Sequence, residues 1–375
     1  MKNSPGSAVH NSHAMLVVVR HLVFASAALC ISGAALSATS CEDGKIIAPV
    51  VETAKTAQDL LWHRQFAKLD RLAEQYRTEQ SVGADGKPML MGFFNGIDYS
   101  LTNCGDTPST EAQWKQHQRL LRDWTKASPH SAAAMLASAG FMTTYAWHAR
   151  GNDFSSTVTD DGFKLFRERI AKARAQYESM GQAERTFPAW YQGMMTVALA
   201  QAWEKPEFDA LFDEAIKKFP AYHPFYYTKA GFYTAKWHGS DEEFHQVVEE
   251  AVLATPTLGE TMYARLQASE WEATMFRDGQ ADWKRMSAGL QRMNQDFPGP
   301  WNQNVYARYA CMAGDLDTLR KLLGEIGDKV AYPAWGSKRY FEACRDYANT
   351  RFCWTGIAGY ADGCEPLENV PAKKL

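Results

Sequence analysis

Apolar residues recur at helical spacing along almost the whole chain after residue 55. In the segment 56–77 (TAQDLLWHRQFAKLDRLAEQYR), apolar side chains fall on one broad stripe, and charged residues occupy the positions between them. Such spacing is typical of helices that bury one face. The same pattern predicts helices at about 111–127, 131–149, 162–180, 188–203, 207–218, 223–235, 241–254, 259–277, 280–296, 300–313, 315–326 and 336–349. We therefore predict an all-α fold.

One stretch interrupts this pattern. Residues 79–110 contain five glycines and form the main irregular segment of the sequence. Within it, residues 88–101 (PMLMGFFNGIDYSL) are too ambiguous to assign as a helix or a strand. The rest of the chain carries almost no strand signal.

Prolines recur at the ends of the predicted helices. They follow helical segments at Pro129, Pro188, Pro220, Pro256 and Pro298, and from Pro188 onward the intervals are 32, 36 and 42 residues. Proline is tolerated in the first turn of a helix but not in its interior. Each proline is therefore predicted to end one helix and open the next. Intervals of this length hold two helices and a turn, which predicts a helical-repeat (α-α) solenoid.

The end of each interval favours a tetratricopeptide-like repeat. Phe212, Ala215 and Pro220 have the spacing with which the second helix of such a repeat ends, and the small alanine lets neighbouring helices approach closely. Ala251 holds the same place in the next interval, whereas Met293 replaces the alanine in the last one. The signature of the first helix is mostly absent. The repeats are therefore interpreted as degenerate.

Two short motifs carry a family resemblance. The sequence contains W-x-A-R-G at 147–151, within PHSAAAMLASAGFMTTYAWHARG, and K-W-x-G-S at 236–240, within FYYTKAGFYTAKWHGS. With these motifs, most of residues 55–348 resembles a bacterial family known only as a domain of unknown function. Members of that family are tetratricopeptide-like helical proteins that often carry export signals. The resemblance therefore implies a fold and a compartment, but no activity.

The first 40 residues have the parts of a secretory signal peptide. Lys2 and Arg20 are basic, acidic residues are absent, an apolar run extends from Leu22 to about Ala38, and small residues follow. This order is typical of a cleaved leader. We therefore expect a signal peptide at 1–40, a helical-repeat domain at 41–349 and a Cys-containing tail at 350–375, in a periplasmic or secreted protein.

Three alternatives to this interpretation of the leader stay open. Met15 is a second possible start, because it gives a shorter basic leader. The leader could also remain as a membrane anchor, although Arg20 shortens the apolar run below the ~20 residues of a span. Finally, Cys41 could be acylated in a lipoprotein, although the residues before it match that signal poorly. A membrane association is expected only in the last two cases.

Cysteines and charge narrow the function classes further. An exported chain with six cysteines outside the leader is expected to form disulfides. Sequence proximity favours pairing Cys311 with Cys344 and Cys353 with Cys364, which leaves Cys41 with Cys104, although fifteen connectivities are possible.

No C-x-x-C pair, H-E-x-x-H motif or close histidine pair is present, so neither redox chemistry nor a metal site is predicted. The net charge of −3 without a basic stripe argues against a nucleic-acid partner.

Three Trp-His dipeptides, at 62–63, 147–148 and 237–238, are the most unusual feature of the sequence. The first is expected in mid-helix. The other two are followed by Gly151 and Gly239, which predicts helix C-termini with left-handed glycine caps. The favoured interpretation is structural, with a helix-ending tryptophan that packs on the next helix pair. The alternative is a shared binding groove, for which the candidates are Tyr145, Trp147, His148, Arg150, Trp237 and His238.

A dense aromatic run at 219–237 adds one more candidate. Tyr226 and Tyr227 are adjacent on one predicted helix, so they are not both expected to point inward. One of them is therefore expected to face a ligand or a second subunit. Tyr226 is the one included among the candidate binding residues.

These observations favour a binding scaffold over an enzyme. The sequence lacks a nucleophile elbow and a phosphate-binding loop, and no catalytic residue or cofactor is predicted. The first hypothesis is a scaffold that holds a protein or peptide of the cell envelope on its concave face. The alternative is a cell-envelope enzyme with a cleft around Trp147, His148 and Arg150. A purely structural protein would differ from both in having no aromatic-lined groove.

Overall fold

The computed structural model describes residues 46–98, 110–151, 158–270, 275–276 and 280–350. These residues are mainly α-helical and contain no β-strand, which confirms the all-α part of the prediction; an isolated bridge joins Val82 to Pro88. The predicted leader at 1–40, Cys41, Cys104 and the tail with Cys353 and Cys364 lie outside the described residues. The helices are α1 (Pro49–Trp62), α2 (Phe66–Glu79), α3 (Met89–Ile97), α4 (Glu111–Ala127), α5 (Ala132–Arg150), α6 (Asp160–Glu178), α7 (Pro188–Gln201), α8 (Lys205–Lys218), α9 (Pro224–Phe232), α10 (Asp241–Ala254), α11 (Glu260–Glu270), α12 (Trp283–Asp296), α13 (Pro300–Ala313), α14 (Leu316–Ile326) and α15 (Lys338–Thr350).

Four of the five prolines end helices as predicted. In each case the residue before the proline is the helix C-cap and has an extended φ, because the proline ring disfavours helical backbone at the preceding position. These caps are Ser128, Phe219, Thr255 and Phe297. Pro188 does not end a helix, because α6 already ends at Glu178 and a 3-10 turn follows at Glu184–Thr186, but it opens α7 as predicted. The other four prolines do not open the next helix, which begins two to four residues after each of them.

Helix boundaries differ from the sequence prediction in three places. The segment 56–77 is two helices, because the chain turns at His63–Gln65, where Arg64 has a positive φ of 55°. His63 is therefore the C-cap of α1 and not a mid-helix residue. The ambiguous segment 88–101 contains α3, and the helix predicted at 259–277 is described only as far as Glu270.

The helices pack in chain order and also in an alternating row. Each helix contacts its neighbour in the sequence along most of the chain, and the odd-numbered helices from α1 to α11 also contact one another in order. Within this row, α9 contacts α7, α8, α10 and α11. This arrangement encloses α9, and eight of its nine residues are buried. None of the described helices is long and apolar enough to cross a membrane.

The segment between α2 and α3 contacts helices that come much later in the chain. The Arg265 guanidinium of α11 donates a hydrogen bond to the Gly86 carbonyl oxygen at 3.2 Å, and the Asn302 side-chain amide of α13 donates one to the Ala84 oxygen at 3.3 Å. Tyr222 and Trp301 also pack against the apolar cluster at the start of α1. The start of α1 and the segment between α2 and α3 therefore lie against residues much later in the chain. Residues of these contacts also line two cavities.

A cysteine pair ties α13 to α15. Cys311 and Cys344 lie at disulfide-bond distance with their Cα atoms 5.8 Å apart, and Cys344 is buried. This confirms the pairing that sequence proximity favoured for these two residues. The bond spans 33 residues of chain and holds the last described helix on the core.

Replacing Gly96 with alanine should destabilise the protein. A Cβ atom at Gly96 of α3 would lie 2.1 Å from the Ala54 carbonyl oxygen of α1, so the two helices would have to separate. Overpacking of this kind costs typically 1–3 kcal/mol, and the better helix propensity of alanine offsets up to about 1 kcal/mol of that cost. We expect the free energy of unfolding, measured with guanidinium, to fall by about 1–2 kcal/mol.

Gly324 is the matched control for this substitution. It lies inside α14, and a Cβ atom there would meet nothing within 4 Å. Gly324→Ala should therefore raise the free energy of unfolding by up to about 1 kcal/mol through helix propensity alone. Equal effects of the two substitutions would show that α1 and α3 are not in close contact.

Candidate functional site

The segment around Trp147 is divided between two faces of α5. Successive residues of an α-helix point about 100° apart, so a Trp-His dipeptide cannot present both rings to one cleft. Trp147 faces α6 and the row formed by α3 and α7, whereas His148 lies against Trp114 of α4, with 4.7 Å between ring centres. The six residues proposed for one groove therefore belong to separate environments.

Trp147 lines a cavity between α3, α5 and α7, which we call the α3–α5–α7 cavity. Its volume is about 90 Å³. Asn95 comes from α3, Thr144 and Trp147 come from α5, and Gln192 comes from α7. Because these helices belong to the alternating row, the cavity lies on the face that the odd-numbered helices share.

Three polar atoms of this cavity's lining are buried without a hydrogen-bond partner among the described residues. They are Nδ2 of Asn95, Nε1 of Trp147 and Oε1 of Gln192. The amide nitrogen of Gln192 donates to the Thr228 hydroxyl, which leaves its oxygen for another donor. Buried polar groups in proteins are nearly always paired, and an unpaired one costs about 1–3 kcal/mol. Two donors and one acceptor around one cavity therefore suit a neutral polar ligand.

Tyr177 of α6 also lines the cavity, next to Gly140 and Gly193, where a side chain would leave less space. A Cβ atom at Gly193 would lie 2.2 Å from the Tyr177 ring, and one at Gly140 would lie 3.3 Å from Oδ2 of Asp98. Burial and then the negative charge of Asp98 raise the pKa of Tyr177, so its hydroxyl stays protonated. The wall therefore presents a neutral phenol beside one carboxylate.

An aromatic and cationic cluster adjoins the cavity. The rings of Trp147 and Trp237 meet edge to face with 5.4 Å between their centres. The Arg150 guanidinium lies 5.7 Å from the Trp147 ring centre and 5.8 Å from that of Trp237, within the range of a cation–π interaction. Trp147, Arg150 and Trp237 are thus the three predicted binding residues that the fold brings together.

Tyr145 and His148 belong to a different cluster, which also includes residues of α4 and α6. The Tyr145 hydroxyl donates to the Glu111 carboxylate, and the Arg169 guanidinium lies 3.3 Å from the Tyr145 ring centre and donates to its carbonyl oxygen at 2.8 Å. Burial and then the positive charge of Arg169 lower the pKa of His148. These contacts join α4, α5 and α6 through charged and aromatic groups.

His238 and Tyr226 have their own structural partners. The His238 ring shares a hydrogen bond with the Leu199 carbonyl oxygen at 2.9 Å, and the Tyr226 ring packs on Phe212 at 5.2 Å. Tyr226 and Tyr227 are both buried. The premise that they cannot both point inward is therefore wrong, because helices cover α9 on several sides. The expectation that one of them faces a ligand or a second subunit stays a prediction.

The two predicted glycine caps differ. Gly151 has a positive φ of 76° at the C-cap of α5, as expected. Gly239 does not cap a helix, because α9 ends at Phe232 and a turn follows; a Cβ atom at Gly239 would lie 2.1 Å from the Tyr233 oxygen. Ser240 begins α10 as predicted, and its hydroxyl accepts from the Glu243 amide at 3.2 Å.

Sequence reasoning missed Asn95 and Gln192. Asn95 lies in the segment taken as irregular, and Gln192 lies in a helix without any motif. A usable signal was the spacing of Gly92 and Gly96, four residues apart around Asn95, which permits close helix contact. Across the described ranges, no cluster of three or more His, Cys, Asp or Glu side chains is placed to hold a metal ion.

Comparisons with protein-family models, with curated proteins and with solved structures found no match to this chain.

Proposed function

We propose that this chain is an exported, tetratricopeptide-like helical-repeat protein that binds a peptide segment of a cell-envelope protein. The observation that carries the proposal is the set of unpartnered polar atoms from Asn95, Trp147 and Gln192 in the α3–α5–α7 cavity. A peptide amide offers the complementary set, because it supplies an N–H donor and a carbonyl acceptor. Its binding would satisfy groups that the fold leaves unpaired.

The cluster beside the cavity supports a peptide over a smaller ligand. Tryptophan and arginine are the residues most often found as energetic centres of protein interfaces, and Trp147, Trp237 and Arg150 lie together at this place. A peptide that places one group in the cavity could lay the next residues across these side chains.

The repeat class and the compartment are supported by separate observations. The alternating row of helices and the prolines that follow four helix ends both suit stacked helix pairs. A cysteine pair at disulfide-bond distance suits an oxidising compartment, because disulfides are rare in the cytosol. The cysteine pair is what supports the proposed export through a leader at 1–40.

The alternative of an enzyme cleft around Trp147, His148 and Arg150 has less support. His148 lies against Trp114 of α4, whereas Trp147 and Arg150 lie together beside Trp237. The three residues therefore do not line a common space. A purely structural role has less support than binding, because it gives no reason for the unpartnered atoms of the cavity.

Replacing Trp147 with alanine should abolish most of the peptide binding. The probe is a phage-displayed library of random short peptides, selected on the full chain, and the affinity of an enriched peptide is then measured by calorimetry. Loss of a central interface tryptophan costs about 2 kcal/mol or more, which is roughly 30-fold in Kd. Asn95→Asp should have a similar effect, because it replaces a donor with an anion at constant size.

Trp62→Ala is the matched control. Trp62 belongs to the first Trp-His pair and is 40% exposed at the end of α1, outside the cavity lining. It should leave the affinity unchanged. Failure of the library to enrich any sequence, or equal binding by the wild-type chain and Trp147→Ala, would contradict the proposal.

A further inference from the structure

A second cavity lies where the segment 82–88 meets α9, α11 and α13, and we call it the 82–88 cavity. Its volume is about 100 Å³, and it shares no lining residue with the α3–α5–α7 cavity. Trp301, Leu290, Met293 and Val305 form much of its apolar wall. Charged side chains complete the lining, which makes its chemistry different from that of the first cavity.

Asp85 is a buried carboxylate on the wall of the 82–88 cavity. Its side chain is 2% exposed, Oδ1 accepts a hydrogen bond from the Lys87 backbone amide at 3.2 Å, and Oδ2 has no hydrogen-bond partner in the part of the chain that the structure describes. Asparagine could make the same turn without a charge. Burial of a carboxylate oxygen without a partner is costly, so local structure alone does not account for an aspartate here.

Arg265 provides an opposite charge on the same wall. Its guanidinium donates to the Gly86 oxygen at 3.2 Å and lies 3.5 Å from the Asp85 backbone oxygen, while its Nε has no hydrogen-bond partner within the described ranges. It forms no ion pair with a carboxylate of the described residues, and it does not pair with Asp85. Burial and then the charge of Arg265 lower the pKa of the neighbouring His223 to about 4.

Tyr227 adds a neutral group to this set. Its hydroxyl oxygen is buried and has no hydrogen-bond partner among the residues that the structure describes, and the side chain is 5% exposed. A phenol can donate or accept. Lys87 and Arg308 also line the cavity, so the cationic side chains outnumber Asp85.

We propose that the 82–88 cavity binds a free α-amino acid, with its ammonium group at Asp85 and its carboxylate at Arg265. Opposite charges that line one cavity without pairing are complementary to a ligand that carries both charges itself. The hydroxyl of Tyr227 supplies a further hydrogen bond, and the apolar wall around Trp301 accommodates an apolar side chain. This site is independent of the peptide site proposed above.

Simpler ligands fit the cavity less well. A lone anion would pair with Arg265 but would leave Asp85 unpaired beside a second negative charge. A lone amine would satisfy Asp85 and leave Arg265 with backbone oxygens only. A peptide interior lacks both charges, because its amino and carboxyl groups are amides.

The test is calorimetric titration of the full chain with free amino acids, including alanine, valine, leucine and methionine. For the tightest of them, the N-acetyl derivative and the carboxamide serve as ligands that each lack one charge. We expect the free amino acid to bind and each derivative to bind about tenfold or more weakly, because each loses one charged hydrogen bond. No binding by any amino acid, or equal binding by the N-acetyl derivative, overturns the proposal.

Two variants locate the ligand in this cavity. Asp85→Asn should weaken binding about tenfold or more, while the ligand-free melting temperature stays the same or rises, because a buried unpaired charge is removed. Arg265→Met should also weaken binding, and Arg292→Met, on the exposed surface of α12, is its matched control. If Asp85→Asn binds the amino acid as tightly as the wild-type chain, the assignment is wrong.

Discussion

Replacing both Cys311 and Cys344 with alanine should lower the free energy of unfolding by about 4 kcal/mol. The bond closes a loop of 33 residues, and in the chain-entropy estimate the loss of such a loop frees the unfolded chain by about that amount. Typical total stabilities are about 5–15 kcal/mol. The variant is therefore expected to unfold at a much lower guanidinium concentration.

The double substitution is preferable to either single one, because a lone thiol can exchange with other cysteines. Alanine is preferable to serine, since Cys344 is buried and a hydroxyl there would need a partner. Peptide mapping of the unreduced protein should first recover the Cys311–Cys344 link. Adding a reductant to the double variant then measures what the remaining cysteines contribute. An unchanged unfolding midpoint in the double variant would mean that this bond does not form in solution.

The helical pattern predicted the fold class because it depends on local chemistry. Apolar spacing fixes which faces are buried, and a proline fixes the backbone of the residue before it, as at Phe219 and Phe297. The break between α1 and α2 has no sequence signal, because Arg64 adopts the positive φ that turns the chain and no glycine or proline marks the position. α3 was missed because its glycines, which suggest a loop, allow contact with α1 at Ala54.

The candidate site was predictable only in part. Trp147, Arg150 and Trp237 were identified from unusual motifs, and the fold brings them together. His148 was grouped with Trp147 because the two are adjacent in sequence, although adjacent residues of a helix point apart. The unpartnered amides of Asn95 and Gln192 could not be predicted, since a missing partner is a property of three-dimensional packing.

The protein should lose about 3 kcal/mol of stability as the pH falls from 7 to 4 because of His117 alone. This side chain is fully buried, its Nε2 shares a hydrogen bond with the Ile97 carbonyl oxygen at 2.7 Å, and its ring stacks on Phe141 at 5.0 Å. Burial lowers its pKa from 6.5 to about 4, and the bond to Ile97 opposes that shift. The native state therefore excludes a proton that the unfolded chain accepts below about pH 6.5.

The direction of this pH effect and the pH range over which it acts follow from the two pKa values of His117, 6.5 in the unfolded chain and about 4 in the native state. Above pH 6.5 neither state is protonated at His117, so its contribution to stability is constant. Between about pH 6.5 and pH 4 only the unfolded chain binds the proton, and the free energy of unfolding falls by about 1.4 kcal/mol per pH unit. Below about pH 4 the native state is protonated as well, and the contribution is constant again. Other groups, including His223, titrate in the same range, so the test must compare variants.

His117→Gln isolates the effect, because glutamine can donate to the Ile97 oxygen but carries no titrating proton. Guanidinium unfolding at pH 7, 5.5 and 4 should show that the variant loses about 3 kcal/mol less than the wild-type chain over this range. Leu319→Ala, in the core of α14, is the control for destabilisation in general, and its curve should run parallel to that of the wild type. Parallel curves for His117→Gln and the wild type would instead mean that the native fold accepts a proton at His117 as readily as the unfolded chain does.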